Sequence, residues 1–382
     1  MKIGILTHFH KSTNYGGVLQ AYALCRYLND RGHSASQILY TAKVRKLDPS
    51  KRTAKEFLGI LCKRIKQKIY KKKNKVIKQR MEDLFFDFRD HVPHTEKEYI
   101  KNNISDVAGE FDIIIAGSDQ IWNPDWYDSS YMLDFVDTSV SKISYAASMG
   151  VSTLTEEQKK TYVHHLFEFK MISVREKECA DVVSNVVGHE VEICIDPTLL
   201  LTSDEWDDIA GDRRIFEKYV FLYMLGNDCE IKITASKFAQ RKGLRLVCIP
   251  DLMGEYTSID RKLNAHLVYD ATPSDFISLI KYADYIFTDS FHASVFSLLY
   301  QKEFYVFDKR AIQKTSSRIC NLTEMFECKN HYFSDNRKRT LKYIMNCPPI
   351  AYLGKKTLFD SAKKRSEDFL NSGISEGVSQ GE

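Results

Sequence analysis

Histidine, arginine and aspartate recur in this chain where an apolar run gives way to a polar turn. "FTDSFHASVFSLL" (287–299) ends a strand-like run at Asp289 and opens a helical one near His292. A histidine there is either a satisfied structural side chain or a general acid and phosphate contact. "ISVREKE" (172–178) sets Arg175 at a second junction, where its planar fork suits a carboxylate or phosphate as well as an ordinary salt bridge. "DKRAIQKTSSRI" (308–319) adds Lys309, Arg310 and Arg318, enough positive charge for a phosphate. In "AGSDQIWNP" (116–124), Gly117 permits a tight turn and Asp119 could cap the next one. The same stretch reads as a sugar-binding edge, with Trp122 for stacking, Gln120 for hydrogen bonding and Asp119 to orient or deprotonate a hydroxyl. "HFHKSTNYGGVLQAYAL" (8–24) carries Asn14, Tyr15 and Gly16 between a strand and a helix, the arrangement of many anion sites.

These junctions need a frame. The runs "KIGILT", "FDIIIAG", "KISYAAS", "MISVRE" and "VEICID" in the first half read as buried strands, and so do "KYVFLYML", "LRLVCIP", "DYIFTDS" and "EFYVFD" in the second. Amphipathic segments around 16–31, 155–168, 176–186, 230–242, 273–283 and 292–301 separate them. Strands alternating with helices imply parallel sheets, and ligands gather at the carboxyl ends of such strands. The expected fold is α/β, with two Rossmann-like doubly wound domains facing a cleft. Their spans are 1–200, with a basic helical insertion at about 50–95, and 201–350. A C-terminal helix over 351–370 and a disordered tail over 371–382 complete the chain.

At 382 residues, with 43% hydrophobic and 28% charged residues, the chain is globular. No apolar run approaches a membrane span and no leader is expected. Nine scattered cysteines without a CxxC pair fit a reducing cytoplasm and argue against zinc. The net charge of +4 is uneven: residues 63–80 hold ten Lys and Arg and no acid. That segment is read as a basic amphipathic helix. It is either a solvated face or a peripheral contact with an anionic membrane or lipid-linked substrate; no nucleic-acid motif accompanies it.

Taken in order, "NYGGVLQAYAL", "FDIIIAGSDQIWNP", "SYAASMG", "ISVREKE", "DPTLLL" and "TDSFHASVFSLLYQKEFYVF" resemble the polysaccharide pyruvyl transferase family. The resemblance implies a fold similar to two-domain, GT-B-type glycosyltransferases. It also implies transfer of a pyruvyl group from phosphoenolpyruvate to a sugar of a cell-surface polysaccharide or its lipid-linked precursor, as a ketal, without metal or organic cofactor. The family's strand-end arginine falls on Arg175 and its helix-start histidine on His292. On this reading His292 and Asp119 are catalytic. Arg175, Ser290, Lys309, Arg310 and Arg318 hold the donor, and Asn14, Tyr15, Gly16, Gln120 and Trp122 the acceptor. One departure stands out: many members have Arg-Leu-His where this chain has Ser290-Phe291-His292. The alternatives are a glycosyltransferase with a nucleotide-sugar donor and a non-catalytic sugar-phosphate or polymer-binding protein.

Overall fold

The computed structural model describes residues 1–47, 75–137, 140–226, 228–250, 262–308, 316–334 and 340–378. In chain order the first elements are β1 (Lys2–Leu6), α1 (Tyr15–Asn29), β2 (Ser34–Gln37) and α2 (Lys75–Asp90). Then come β3 (Ile113–Ala116), β4 (Ser141–Ala147), α3 (Glu156–Leu166), β5 (Met171–Val174), α4 (Lys177–Val187) and β6 (Glu192–Ile193). The second half brings α5 (Ser203–Asp207), β7 (Tyr219–Tyr223), α6 (Cys229–Lys242), β8 (Arg245–Cys248) and β9 (His266–Leu267). It continues with α7 (Pro273–Lys281), β10 (Tyr285–Thr288), α8 (Phe291–Leu299), β11 (Glu303–Phe307), α9 (Ser316–Met325), β12 (Tyr332–Phe333) and α10 (Leu341–Met345). The last helix is α11 (Lys355–Val378).

Two compact units result. The first comprises Met1 to residue 47, Arg89–Thr202 and the described part of the C-terminal segment; the second comprises Ser203–Tyr352 with residues 75–88. Part of the expected first-domain insertion thus belongs to the second unit, and 48–74, with most of the basic segment, lies outside the described residues.

Each unit holds a six-stranded sheet, all parallel in its pairings. The first runs β2-β1-β3-β4-β5-β6, the second β12-β11-β10-β7-β8-β9. In each, the order reverses beside the first strand, β1 against β3 and β7 against β10, which leaves a crevice at the strands' carboxyl ends. β3 is buried along its whole length (Ile113, Ile114, Ile115, Ala116), as a strand covered on both faces must be.

Local chemistry fixes the helix starts. Asn14 Oδ1 accepts the Gly17 amide at 3.1 Å to cap α1. Thr155 with Gln158 and Thr272 with Asp275 form reciprocal capping boxes on α3 and α7. Asp228 caps α6 through the amides of Glu230 and Ile231. The tail corrects the expectation of disorder from 371, because α11 continues to Val378. Ile374 is buried, and a Cβ on Gly373 would meet Ile143 Cδ1 at 3.3 Å, so a close approach to β4 orders a segment whose own composition favours coil.

Candidate functional site

The crevice of the first unit is built by register. β1 and β3 pair with Leu6 opposite Ala116, so the residues just beyond them leave the sheet side by side. Thr7 Oγ1 donates to the Ser118 carbonyl at 2.8 Å. Gln20, from α1, donates to Thr7 Oγ1 at 3.0 Å and accepts the Ser118 amide at 3.2 Å. Gly117 has φ +131°, and a Cβ there would lie 2.2 Å from the Tyr145 carbonyl oxygen, so no larger residue fits this turn. His8 and Asp119 follow these pinned positions. The His8 ring meets Tyr131 edge-on at 4.9 Å, and burial lowers its pKa against the opposing pull of the Asp119 charge.

Arg175, beyond β5, is held on every side. Its Nη1 lies 2.5 Å from Asp196 Oδ2, Nη2 3.4 Å from Asp119 Oδ1, and Nε 3.9 Å from Glu176 Oε2. Its side chain is only 2% exposed. Burial would lower its pKa, but the charges of Asp196, Asp119 and Glu176 outweigh that and raise it. Ser148 Oγ donates to Glu176 Oε1 at 2.6 Å and Thr198 Oγ1 to Asp196 Oδ1 at 2.7 Å, completing the shell. One cation among three carboxylates is an acidic cluster, and Arg175 serves first to neutralise it.

The other first-unit candidates separate. Asn14, Tyr15 and Gly16 open α1, with Tyr15 and Gly16 buried. Gln120 is buried, its amide nitrogen close against Gly150, where a Cβ would approach it to 1.7 Å. Trp122 corrects the stacking expectation. It is wholly buried, packs edge-on to Phe169 at 5.6 Å and donates from Nε1 to the Tyr131 carbonyl at 3.0 Å, leaving no face for a sugar.

In the second unit the crevice is made of backbone. Asp289 accepts the Leu225 amide at 2.6 Å and the Gly226 amide at 2.7 Å, tying the loop after β7 to the end of β10. Ser290 caps α8 by accepting the Ala293 amide at 3.4 Å, while its own amide donates to Thr288 Oγ1 at 3.0 Å. His292 stands in the first turn of α8, buried, its ring 5.2 Å from that of Phe291. Arg318 on α9 lies 5.9 Å from the Phe291 ring centroid. Lys309 and Arg310 lie outside the described residues.

Sequence reasoning did not single out Gln20 or Glu176. A buried arginine demands carboxylates, and that demand is the signal that would have pointed to Glu176 and Asp196. Among the described residues no three His, Cys, Asp or Glu side chains are grouped to hold a metal ion, and no helix is long and apolar enough to cross a membrane.

Solved structures share this fold over nearly the whole chain. UDP-GlcNAc 2-epimerase from Methanocaldococcus jannaschii aligns with a TM-score of 0.55 at 10% identity, covering 96% of this chain and all of that one. UDP-GlcNAc 2-epimerase from Neisseria meningitidis bound to UDP-GlcNAc aligns at 0.53 and 9% identity, covering 97% and 100%. S. aureus TarM in complex with fondaparinux, α-GlcNAc-glycerol and UDP aligns at 0.52 and 10% identity, covering 99% of both chains. At these identities the likeness establishes a two-domain GT-B-like Rossmann fold. No curated protein matches the chain.

The structural neighbours correct the expected reaction, and with it phosphoenolpyruvate as a partner. All three are described with UDP or a UDP-sugar, none with phosphoenolpyruvate. Two features of the chain agree with that correction: Ser290 stands at the family's arginine as a helix cap, and Arg175 is engaged by three carboxylates. The family model described as polysaccharide pyruvyl transferase matches residues 14–308. The chain therefore belongs to the polysaccharide pyruvyl transferase family.

Proposed function

We propose that the protein is a transferase acting on a nucleotide sugar, a glycosyltransferase with a UDP-linked donor. The observation that carries this reading is the full-length likeness to structures described with UDP and UDP-GlcNAc. The second unit supports it independently. Its order, β12-β11-β10-β7-β8-β9, is that of the dinucleotide-binding doubly wound sheet, with the crevice between β7 and β10. There α8 presents its first-turn amides and positive dipole end, the chemistry that suits a diphosphate. We assign the diphosphate to this edge, with Ser290 and His292 beside it and Arg318 as the added cation. Asn14 and Gly16, at the start of α1, are assigned to the acceptor.

Isothermal titration with UDP and UDP-GlcNAc tests the reading, together with an assay for UDP release. Both ligands are expected to bind and to compete with each other. His292→Ala is expected to weaken UDP about tenfold or more, the scale of losing a hydrogen bond to a charged group. Failure of UDP and of every UDP-sugar tried to bind the intact protein overturns the reading.

A further inference from the structure

We infer that the second unit carries a further ligand site, apart from the β7–β10 crevice, and that it takes an anionic sugar: a sugar ring bearing a carboxylate or a phosphate. The site is a cavity of about 790 Å³ between β12, α10 and the turn that enters β12. Small-ligand sites occupy roughly 300–1,000 Å³. β12 ends the second sheet, two strands away from β10, so the cavity and the crevice are different places within one unit. The inference does not rest on the nucleotide-sugar reading.

Strand alternation makes one wall. Phe333 turns into the core, which sends Tyr332 and Ser334 to the other side of the strand, against the cavity. Helical spacing makes the opposite wall: Ile344 is buried, while Tyr343 and Asn346, three positions apart, line the cavity. The two walls are tied together. The Cys347 thiol donates to the Asn330 carbonyl at 3.6 Å. The buried His331 ring lies between two carbonyl oxygens, that of Phe304 2.9 Å from Nδ1 and that of Pro348 3.0 Å from Nε2. Asn346 Nδ2 donates to the Lys342 carbonyl at 2.9 Å, and the Tyr332 phenol donates to the Asp308 carboxylate. These polar groups are held in place before a ligand arrives, which lowers the ordering cost of binding.

The lining sets the ligand's class. Tyr343 is 45% exposed and offers an aromatic surface to the C–H side of a sugar ring. Asn330, Ser334 and Asn346 offer amide and hydroxyl groups to its hydroxyls. The two lysines at the cavity differ. Lys329 is paired with Glu324, whereas no carboxylate among the described residues pairs with Lys342. An ammonium without a carboxylate, beside an aromatic ring and hydroxyl-binding groups, favours a sugar with a negative charge over a neutral one.

The test uses the full chain and four probes, glucuronate, glucose 6-phosphate, glucose and inorganic phosphate, followed by saturation-transfer NMR and isothermal titration. Glucuronate, glucose 6-phosphate or both are expected to bind about tenfold more tightly than glucose and inorganic phosphate, the scale of one charge-assisted contact. Which of the two binds names the charged group. Excess UDP should leave that binding unchanged. Lys342→Gln should weaken the charged sugar about tenfold, and Tyr343→Ala about threefold. Both residues are exposed, so each variant should melt with the parent and bind UDP as the parent does. Equal affinity for glucose and the charged sugars overturns the inference, and so does phosphate binding as tightly as glucose 6-phosphate. Displacement of the sugar by UDP, an unmoved affinity in Lys342→Gln, or no binding of any probe overturns it as well. The nucleotide-sugar reading is decided separately, by whether UDP and UDP-sugars bind.

Discussion

The two units share a parallel, doubly wound sheet, yet they furnish the strand ends with opposite kinds of chemistry. In the first, the ends of β3, β5 and β6 converge on ionised side chains: Arg175 faces Asp119, Glu176 and Asp196. In the second, the ends of β7 and β10 are joined by one carboxylate on two backbone amides, followed by the hydroxyl cap Ser290. A cluster whose charges satisfy one another ties the strand ends that carry it together. An edge made of amides and a helix N-terminus still has positive potential to offer an anion. The same fold thus gives one unit strand ends built of paired charges and the other strand ends built of backbone amides and a hydroxyl cap.

The most severe break of this contrast is Arg175→Ala. It leaves three buried carboxylates without their cation and is expected to cost about 3–5 kcal/mol of stability, read by urea denaturation. A change under about 1 kcal/mol would mean that the acidic cluster holds itself together without the arginine. Gly117→Ala attacks the same region through sterics. A Cβ 2.2 Å from the Tyr145 carbonyl oxygen at φ +131° cannot be relieved by a side-chain rotation, and about 3 kcal/mol should be lost.

Asp289→Ala is the matching break in the second unit. Two amides lose a charged acceptor, so about 2–3 kcal/mol is expected, with faster amide exchange at Leu225 and Gly226. Ser290→Ala removes only a cap, about 1 kcal/mol, and Ser290→Gly a few tenths. Equal losses for Ser290→Ala and Arg175→Ala would erase the distinction between the units.

The gentlest probe is pH. Burial lowers His8 and also His165, so just below the ordinary histidine value of about 6.5 the folded chain binds fewer protons than the unfolded one. Stability should therefore decline as pH falls from about 6.5, until the folded histidines protonate too. His8→Asn should flatten part of that slope in urea titrations across the window.

Central strands were legible in the sequence because their burial on both faces demands apolar runs: Ile113–Ile115, Tyr219–Tyr223 and Tyr285–Thr288 are all strands where such runs stand. Three edge strands were not. β2 is "SASQ", and β9 and β12 are two residues each; an edge strand has a single partner and little need of apolar faces. The helix starts were readable from short-range spacing, and so was the place of His292 and Arg175 at strand ends.

The sequence by itself determined which residues stand at the ends of the central strands, because strand period, turn glycines and caps are properties of neighbours along the chain. Only the tertiary structure decided what those residues meet. Asp196 and Asp119 reach Arg175 across 21 and 56 positions of chain, and the β1–β3 register sets Leu6 opposite Ala116. Trp122 turns inward and Ile374 is buried against the first unit's own surface for the same reason. Burial and charge pairing are set by what the sheet order brings alongside, and parallel strand order is fixed by crossovers too long for local sequence to specify.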